Sequence, residues 1–239
     1  MIQAVTFDVT HTLIHSPCLG EIYAEVLGRH GIALAPAEAA RLVRVVWQEL
    51  ACLADPGSDR FTAHPEGARG WWRRFVGRLG EYLDGPPVSP FAAAELFHRF
   101  GQPDAWEVYP DVLPALAALR DRGLRLGVVS NWDERLPGLL AGLGLAPSFD
   151  AVVFSSEVGV EKPDRRIFQS ALDRLEVVAG EAVHVGDGRL EDVEGALAAG
   201  MYAVHVSRRG GPGLAGLGPL PALLEETHRS DHIGPLARP

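Results

Sequence analysis

The chain has 239 residues, 47% hydrophobic and 22% charged, which is enough for one large domain or a core with a smaller lobe. Its net charge of −9 argues against a nucleic-acid partner, because phosphate backbones are bound by clustered cations, and no apolar run approaches the ~20 residues that span a bilayer. Two cysteines, Cys18 and Cys52, without metal-ligand or disulfide spacing, and an N-terminus without a signal-peptide pattern give the expectation of a reducing, cytoplasmic setting.

In chain order, "AVTF" (4–7) is a short apolar run that reads as a buried strand and stops at Asp8. From about 17 to 103 the character changes. Four helix-like segments (19–31, 35–54, 65–83 and 89–101) are separated by Pro/Gly/Asp breaks such as "ADPGSD" and "DGPPVSP". They predict an inserted all-helical lobe over 17–103, with Trp47, Trp71 and Trp72 in its core, and leave 1–16 and 104–239 as the main domain. There, strands at 124–129, 151–154, 182–186 and 202–206 are interleaved with helical patterns at 111–123, 165–176 and 190–200. Alternating strands and helices predict an α/β fold, a Rossmann-like parallel sheet with helices on both faces. The tail after 206 reads as loop with one short helix around 219–227.

Four chemical signals follow predicted strands: Asp8 after the first, Ser130-Asn131 after "LGVV", Lys162 in "GVEKPDRRIF" beyond "AVVF", and "GDGRLED" after "AVHV". Taken singly, each has a plain reading as a helix cap or a tight turn. Together they are a stronger signal, because open α/β sheets bind ligands outside the carboxyl ends of their strands. Lys162 stands out further as the only lysine among 22 Lys+Arg. Lysine is a compact point charge that packs beside a small anion, where arginine is a broad planar fork.

On these segments the chain resembles the haloacid dehalogenase superfamily, of the subclass with a helical cap inserted after the first motif. "FDVTHTL", "VVSNW", "EKPDRRIF" and "HVGDGRLEDVEGALAAGM" correspond to its four motifs, and within it the chain is similar to the hydrolase-domain-containing-protein-3-like branch. The resemblance implies a phosphatase-like hydrolase for a small phosphorylated metabolite, with Asp8 as the nucleophile and an aspartyl-phosphate intermediate. It implies Mg²⁺ held by Asp8, Asp187 and the Thr10 backbone carbonyl, and Asp192 behind them, with Glu191 the alternative one residue away. By the same resemblance Lys162 would neutralise charge, while Ser130 and the amide of Asn131 would hold the phosphoryl group. Arg29, Arg41, Arg44, Arg73 and Arg74 of the cap are candidates to meet substrate anions.

Thr10 departs from the family pattern, which usually carries a second aspartate there to protonate the leaving group and activate water. A threonine hydroxyl does neither near pH 7, so a factor of roughly 10²–10⁴ is at stake. His11 is a candidate substitute acid–base, and His15 a more distant one. Two other readings follow: a phosphate-binding regulatory protein that barely turns over, and a metal-free 2-haloacid dehalogenase, which the acidic "GDGRLED" disfavours. No partner macromolecule or oligomeric state is read from the sequence.

Overall fold

The computed structural model describes residues 1–51, 57–83, 87–226 and 236–237. They fall into two units, one of Met1–His15 with Val108–Pro239 and the other Ser16–Glu107.

The first unit is built on a sheet of order β5-β4-β1-β6-β7-β8. Its strands are β1 (Ala4–Phe7), β4 (Arg125–Ser130), β5 (Ala151–Phe154), β6 (Ala182–Gly186), β7 (Tyr202–His205) and β8 (Leu236–Ala237). The first five run parallel, with helices on both sides, and β8 closes one edge antiparallel. All of β1 and β6 and nearly all of β4 are buried, as a sheet covered on both faces requires. This is the α/β sheet expected; the antiparallel edge was not, because a two-residue strand carries no periodicity to read.

Between the strands run α5 (Val112–Arg120), α6 (Leu136–Gly142), α7 (Ser155–Val158), α8 (Arg165–Leu175) and α9 (Gly195–Ala198), with α10 (Leu220–Glu226) following β7. The Asp164 side chain accepts from the Arg166 amide at 2.9 Å and so caps α8, which starts that helix directly after Lys162. The helix expected over 190–200 is replaced in its first half. Residues Arg189–Glu194 form a π-type turn and only Gly195–Ala198 are α-helical. The cause is local. The amides of Asp192 and Val193 both reach the Gly188 carbonyl, and the Asp192 carboxylate folds back onto the Gly188 amide at 2.7 Å. Such turns recur at functional sites.

The second unit contains α1 (Leu19–Arg29), α2 (Pro36–Ala51), α3 (Gly67–Gly80) and α4 (Pro90–Arg99). The last is started by the Ser89 hydroxyl and by proline in its first turn. Its core gathers Val26, Leu42, Trp71, Phe75, Leu79 and Leu96, among others. Trp71 is buried, Trp72 half-buried, and Trp47 is 38% exposed, so the tryptophan cluster runs from the core to the surface. The boundary lies at 107/108 rather than 103/104 because Trp106 belongs to the helical unit. Its indole N–H donates to the Phe100 carbonyl at 3.0 Å and its ring meets Phe100 edge-on. Short strands β2 (Ile14–His15) and β3 (Glu107–Val108) mark the two crossings. Cys52, residues 52–54 of the second expected helix and residue 227 of the last lie outside the described residues.

Candidate active site

Strand register brings the site together. Phe7 pairs with Val128 on one side and Val185 on the other. The residues that follow, Asp8, Ser130 and Asp187, therefore emerge at the same end of the sheet. Immediately after Asp8 the chain turns back on itself, with the Val9 carbonyl accepting from the amides of Thr12, Leu13 and Ile14. His11 sits at φ 64, a left-handed conformation uncommon outside glycine.

Asp8 is 7% exposed. Its Oδ1 accepts from Ser130 Oγ at 2.9 Å and from Lys162 Nζ at 2.7 Å, and no protein donor among the described residues reaches Oδ2. Lys162 Nζ also donates to Asp192 Oδ1 at 2.6 Å. The ammonium is thus buried between two carboxylates with one N–H left over. Asp192 accepts a second bond on Oδ1 from His184 Nε2 at 3.1 Å, besides the Gly188 amide on Oδ2. Asn131 holds the lysine's backbone, its Oδ1 accepting from the Lys162 amide at 2.7 Å and its Nδ2 donating to the Lys162 carbonyl at 3.1 Å.

The electrostatics follow from burial and charge. Burial pushes Asp8 above the usual carboxylate range, with Lys162 opposing. Asp192 is buried too, but Lys162 and the His184 hydrogen bond outweigh that and hold it low. For Lys162, burial works against the charge, yet Asp192 and Asp8 together raise its pKa. Asp187 is pushed from 3.8 to about 7, first by burial and then by the charges of Asp8 and Asp192. The charge of Lys162 opposes the shift, and no side-chain donor among the described residues hydrogen-bonds this carboxylate. Ligand oxygens of Asp8, Asp187 and Asp192 lie within 4.8 Å of one another. With Asp192 satisfied by Lys162, His184 and the Gly188 amide, the raised carboxylates of Asp8 and Asp187 are the hard oxygen donors that suit a divalent cation such as Mg²⁺.

The structure brings Asp8, Ser130, Asn131, Lys162, Asp187 and Asp192 together; Asp192 is buried against Lys162, whereas Glu191 is exposed. Thr10 Oγ1 accepts from the Trp132 indole N–H at 3.1 Å. His11 is depressed to about 4 by burial and by the nearby charges of Arg209 and His15, so at neutral pH its ring is the neutral imidazole and not the imidazolium a general acid needs. The His15 ring packs edge-on against Tyr109 at 4.4 Å. In the helical unit Arg29, Arg41 and Arg73 are ion-paired with neighbouring glutamates. Sequence reasoning missed Trp132 and His184. The signal for the second was present, since a histidine interrupts a strand otherwise apolar on both faces.

A family model for haloacid dehalogenase-like hydrolases matches residues 2–200. The Mus musculus haloacid dehalogenase-like hydrolase domain-containing protein 3 is 35% identical over 239 residues, 98% of this chain and 90% of that protein. Glyceraldehyde 3-phosphate phosphatase of Methanopyrus kandleri is 35% identical over 217 residues, 87% of this chain and 85% of its own. Among solved structures, a HAD phosphatase from Thermococcus onnurineus is similar with a TM-score of 0.65 and 28% identity, over 93% of this chain and 98% of that one.

Proposed function

The chain belongs to the haloacid dehalogenase-like hydrolase family, and from that premise we propose that it is a Mg²⁺-dependent phosphatase of small phosphorylated metabolites. The observation that carries the proposal is the Lys162 ammonium clamped between Asp8 and Asp192 beside an Asp187 carboxylate that burial and the charges of Asp8 and Asp192 push up and that no side chain among the described residues hydrogen-bonds. Asp8, Asp187 and the Thr10 carbonyl would hold the metal, which when bound offsets the repulsion between the carboxylates and an anionic substrate.

Asp8 Oδ2 attacks phosphorus. The new O–P bond forms as the bond to the leaving oxygen breaks, and that oxygen departs with the electron pair. Lys162 lowers the negative charge around Asp8, and Ser130 fixes the carboxylate's orientation through Oδ1. Water then attacks the phosphorus of the acyl phosphate, which frees inorganic phosphate and restores Asp8. Neither Thr10 nor neutral His11 supplies a proton to the leaving oxygen, so leaving groups stable as anions are favoured.

The test is steady-state hydrolysis of aryl and alkyl phosphates. Aryl phosphates are expected to turn over faster, EDTA and Asp8→Asn to abolish activity, and Thr10→Asp to narrow the gap by raising the alkyl rate about tenfold or more. Equal rates on both substrates, or activity that survives EDTA or Asp8→Asn, sink the mechanism. The hydroxyl at Thr10 also supports a second reading, a phosphate-binding protein that turns over negligibly. That reading requires Mg²⁺-dependent uptake of beryllofluoride together with no hydrolysis of any substrate tried.

A further inference from the structure

Behind the carboxylate pair lies a string of buried hydrogen bonds whose far end, Thr6 and His184, the reaction above does not use. Thr6 and His184 are register partners on adjacent strands β1 and β6, so their side chains leave the same face of the sheet. Thr6 Oγ1 lies 2.8 Å from His184 Nδ1, and His184 Nε2 lies 3.1 Å from Asp192 Oδ1. That same oxygen receives Lys162 Nζ at 2.6 Å, and Lys162 continues to Asp8 at 2.7 Å. None of the five residues is more than 7% exposed. The Phe168 ring stands edge-on against the imidazole at 5.1 Å and restricts its rotation.

We propose that His184 is a positioning residue of this site: its Nε2–H holds Asp192 Oδ1 in place, so that Asp192 and Asp8 grip the Lys162 ammonium between them. An ionised carboxylate only accepts, so the proton sits on Nε2. Nδ1 then accepts from the Thr6 hydroxyl, which fixes both the tautomer and the ring. Burial disfavours the doubly protonated ring. With Lys162, His184 and the Gly188 amide all donating to it, Asp192 is committed to protein donors. Asp187 remains the carboxylate of this loop with room for a cation. His184 itself touches no reacting atom and acts only through Asp192.

The kinetic consequence rests on the phosphatase reading, whereas the hydrogen-bond assignment does not, so two measurements separate them. Histidine ring ¹⁵N–¹H correlation spectra of the wild-type protein at pH 7.5 are expected to show His184, assigned by its absence in His184→Gln, as the Nε2–H tautomer. An Nδ1–H tautomer or an imidazolium overturns the proposal whatever the protein's activity. With aryl phosphate and Mg²⁺, His184→Leu is expected to lose about 10- to 100-fold in kcat, the usual scale for supporting partners, with KM within about threefold. His184→Gln places an amide N–H near the Nε2 position and is expected to recover most of that loss, which a purely space-filling role does not explain. Unchanged kcat in His184→Leu, an effect confined to KM, or a His184→Gln as impaired as the leucine variant overturns the proposal. If the wild type hydrolyses none of the phosphates, the phosphatase reading fails, and the spectrum still decides the role of His184.

Discussion

At the scale of single residues, Asp187 carries the sharpest consequence. Its pKa is raised to about 7 in the folded chain, from an ordinary 3.8. Between those values the folded state holds a proton that the unfolded state has released. Stability from this group is therefore fully present at low pH and is lost as pH rises toward and through about 7. A bound cation opposes both causes of the shift, compensating the charge that burial disfavours and offsetting the repulsion from Asp8 and Asp192. In EDTA, the Tm is expected to fall from pH 5 to pH 8 more steeply in the wild type than in Asp187→Asn. Excess Mg²⁺ is expected to raise the wild-type Tm more at pH 8 than at pH 5 and to leave Asp187→Asn nearly unmoved. A Mg²⁺ response that is the same at both pH values, or intact in Asp187→Asn, removes Asp187 as a ligand. Asp8, Lys162 and Asp187 were legible in the sequence because each follows an apolar run that reads as a strand. The hydrogen bonds of His184 to Asp192 and of Trp132 to Thr10 were not. They depend on strand register and ring orientation, which residue spacing does not encode.

At the scale of elements, the turn after β6 is where the site's precision is built. Helical spacing in "LEDVEGALAAG" made that segment readable as a helix. What the spacing concealed was the π-type turn of Arg189–Glu194, because it arises from a carboxylate competing for the Gly188 amide. This packing leaves no room at Gly186. A Cβ there would lie 2.2 Å from Asp192 Cγ and 2.3 Å from its Oδ2. Gly186→Ala must therefore push Asp192 off the Gly188 amide and Lys162, or shift the end of β6. Overpacking of this kind costs about 1–3 kcal/mol, which lowers Tm without abolishing the fold. The loss of kcat should be larger in proportion, about tenfold or more, with the far-ultraviolet circular dichroism unchanged. Gly138→Ala in α6 is the control, since the added methyl meets nothing within 4 Å; its activity should match the wild type and its Tm should stay level or rise slightly, alanine being the better helix former. A Gly186→Ala enzyme with full kcat would show that Asp192 need not hold the position the structure gives it.

At the scale of the whole molecule, each of the two units has a hydrophobic interior among the described residues. Val129, Val153, Ile167, Phe168, Leu172 and Ala203 are part of one beside the sheet; Phe75, Trp71, Leu79 and Leu96 are part of the other among the four helices. This division was legible because helical periodicity from 19 to 101 contrasts with the short apolar runs around it. The boundary at Trp106 was not, since an aromatic residue just past a predicted linker gives no sign of which side it packs against. Two interiors imply two local stabilities. Phe75 is fully buried, its ring stacked on Trp71 at 5.6 Å and edge-on to Trp72 at 5.3 Å. Removing such a ring costs about 3–5 kcal/mol, equivalent to roughly a 10²- to 10⁴-fold rise in the local opening equilibrium. Hydrogen exchange followed by mass spectrometry on Phe75→Ala should therefore show α2, α3 and α4 amides exchanging faster by about that factor. Amides of β1, β4 and β6 depend on the other interior and should keep their wild-type rates. If protection falls equally in both sets, the two units open as one cooperative body, and the independence of their cores is wrong.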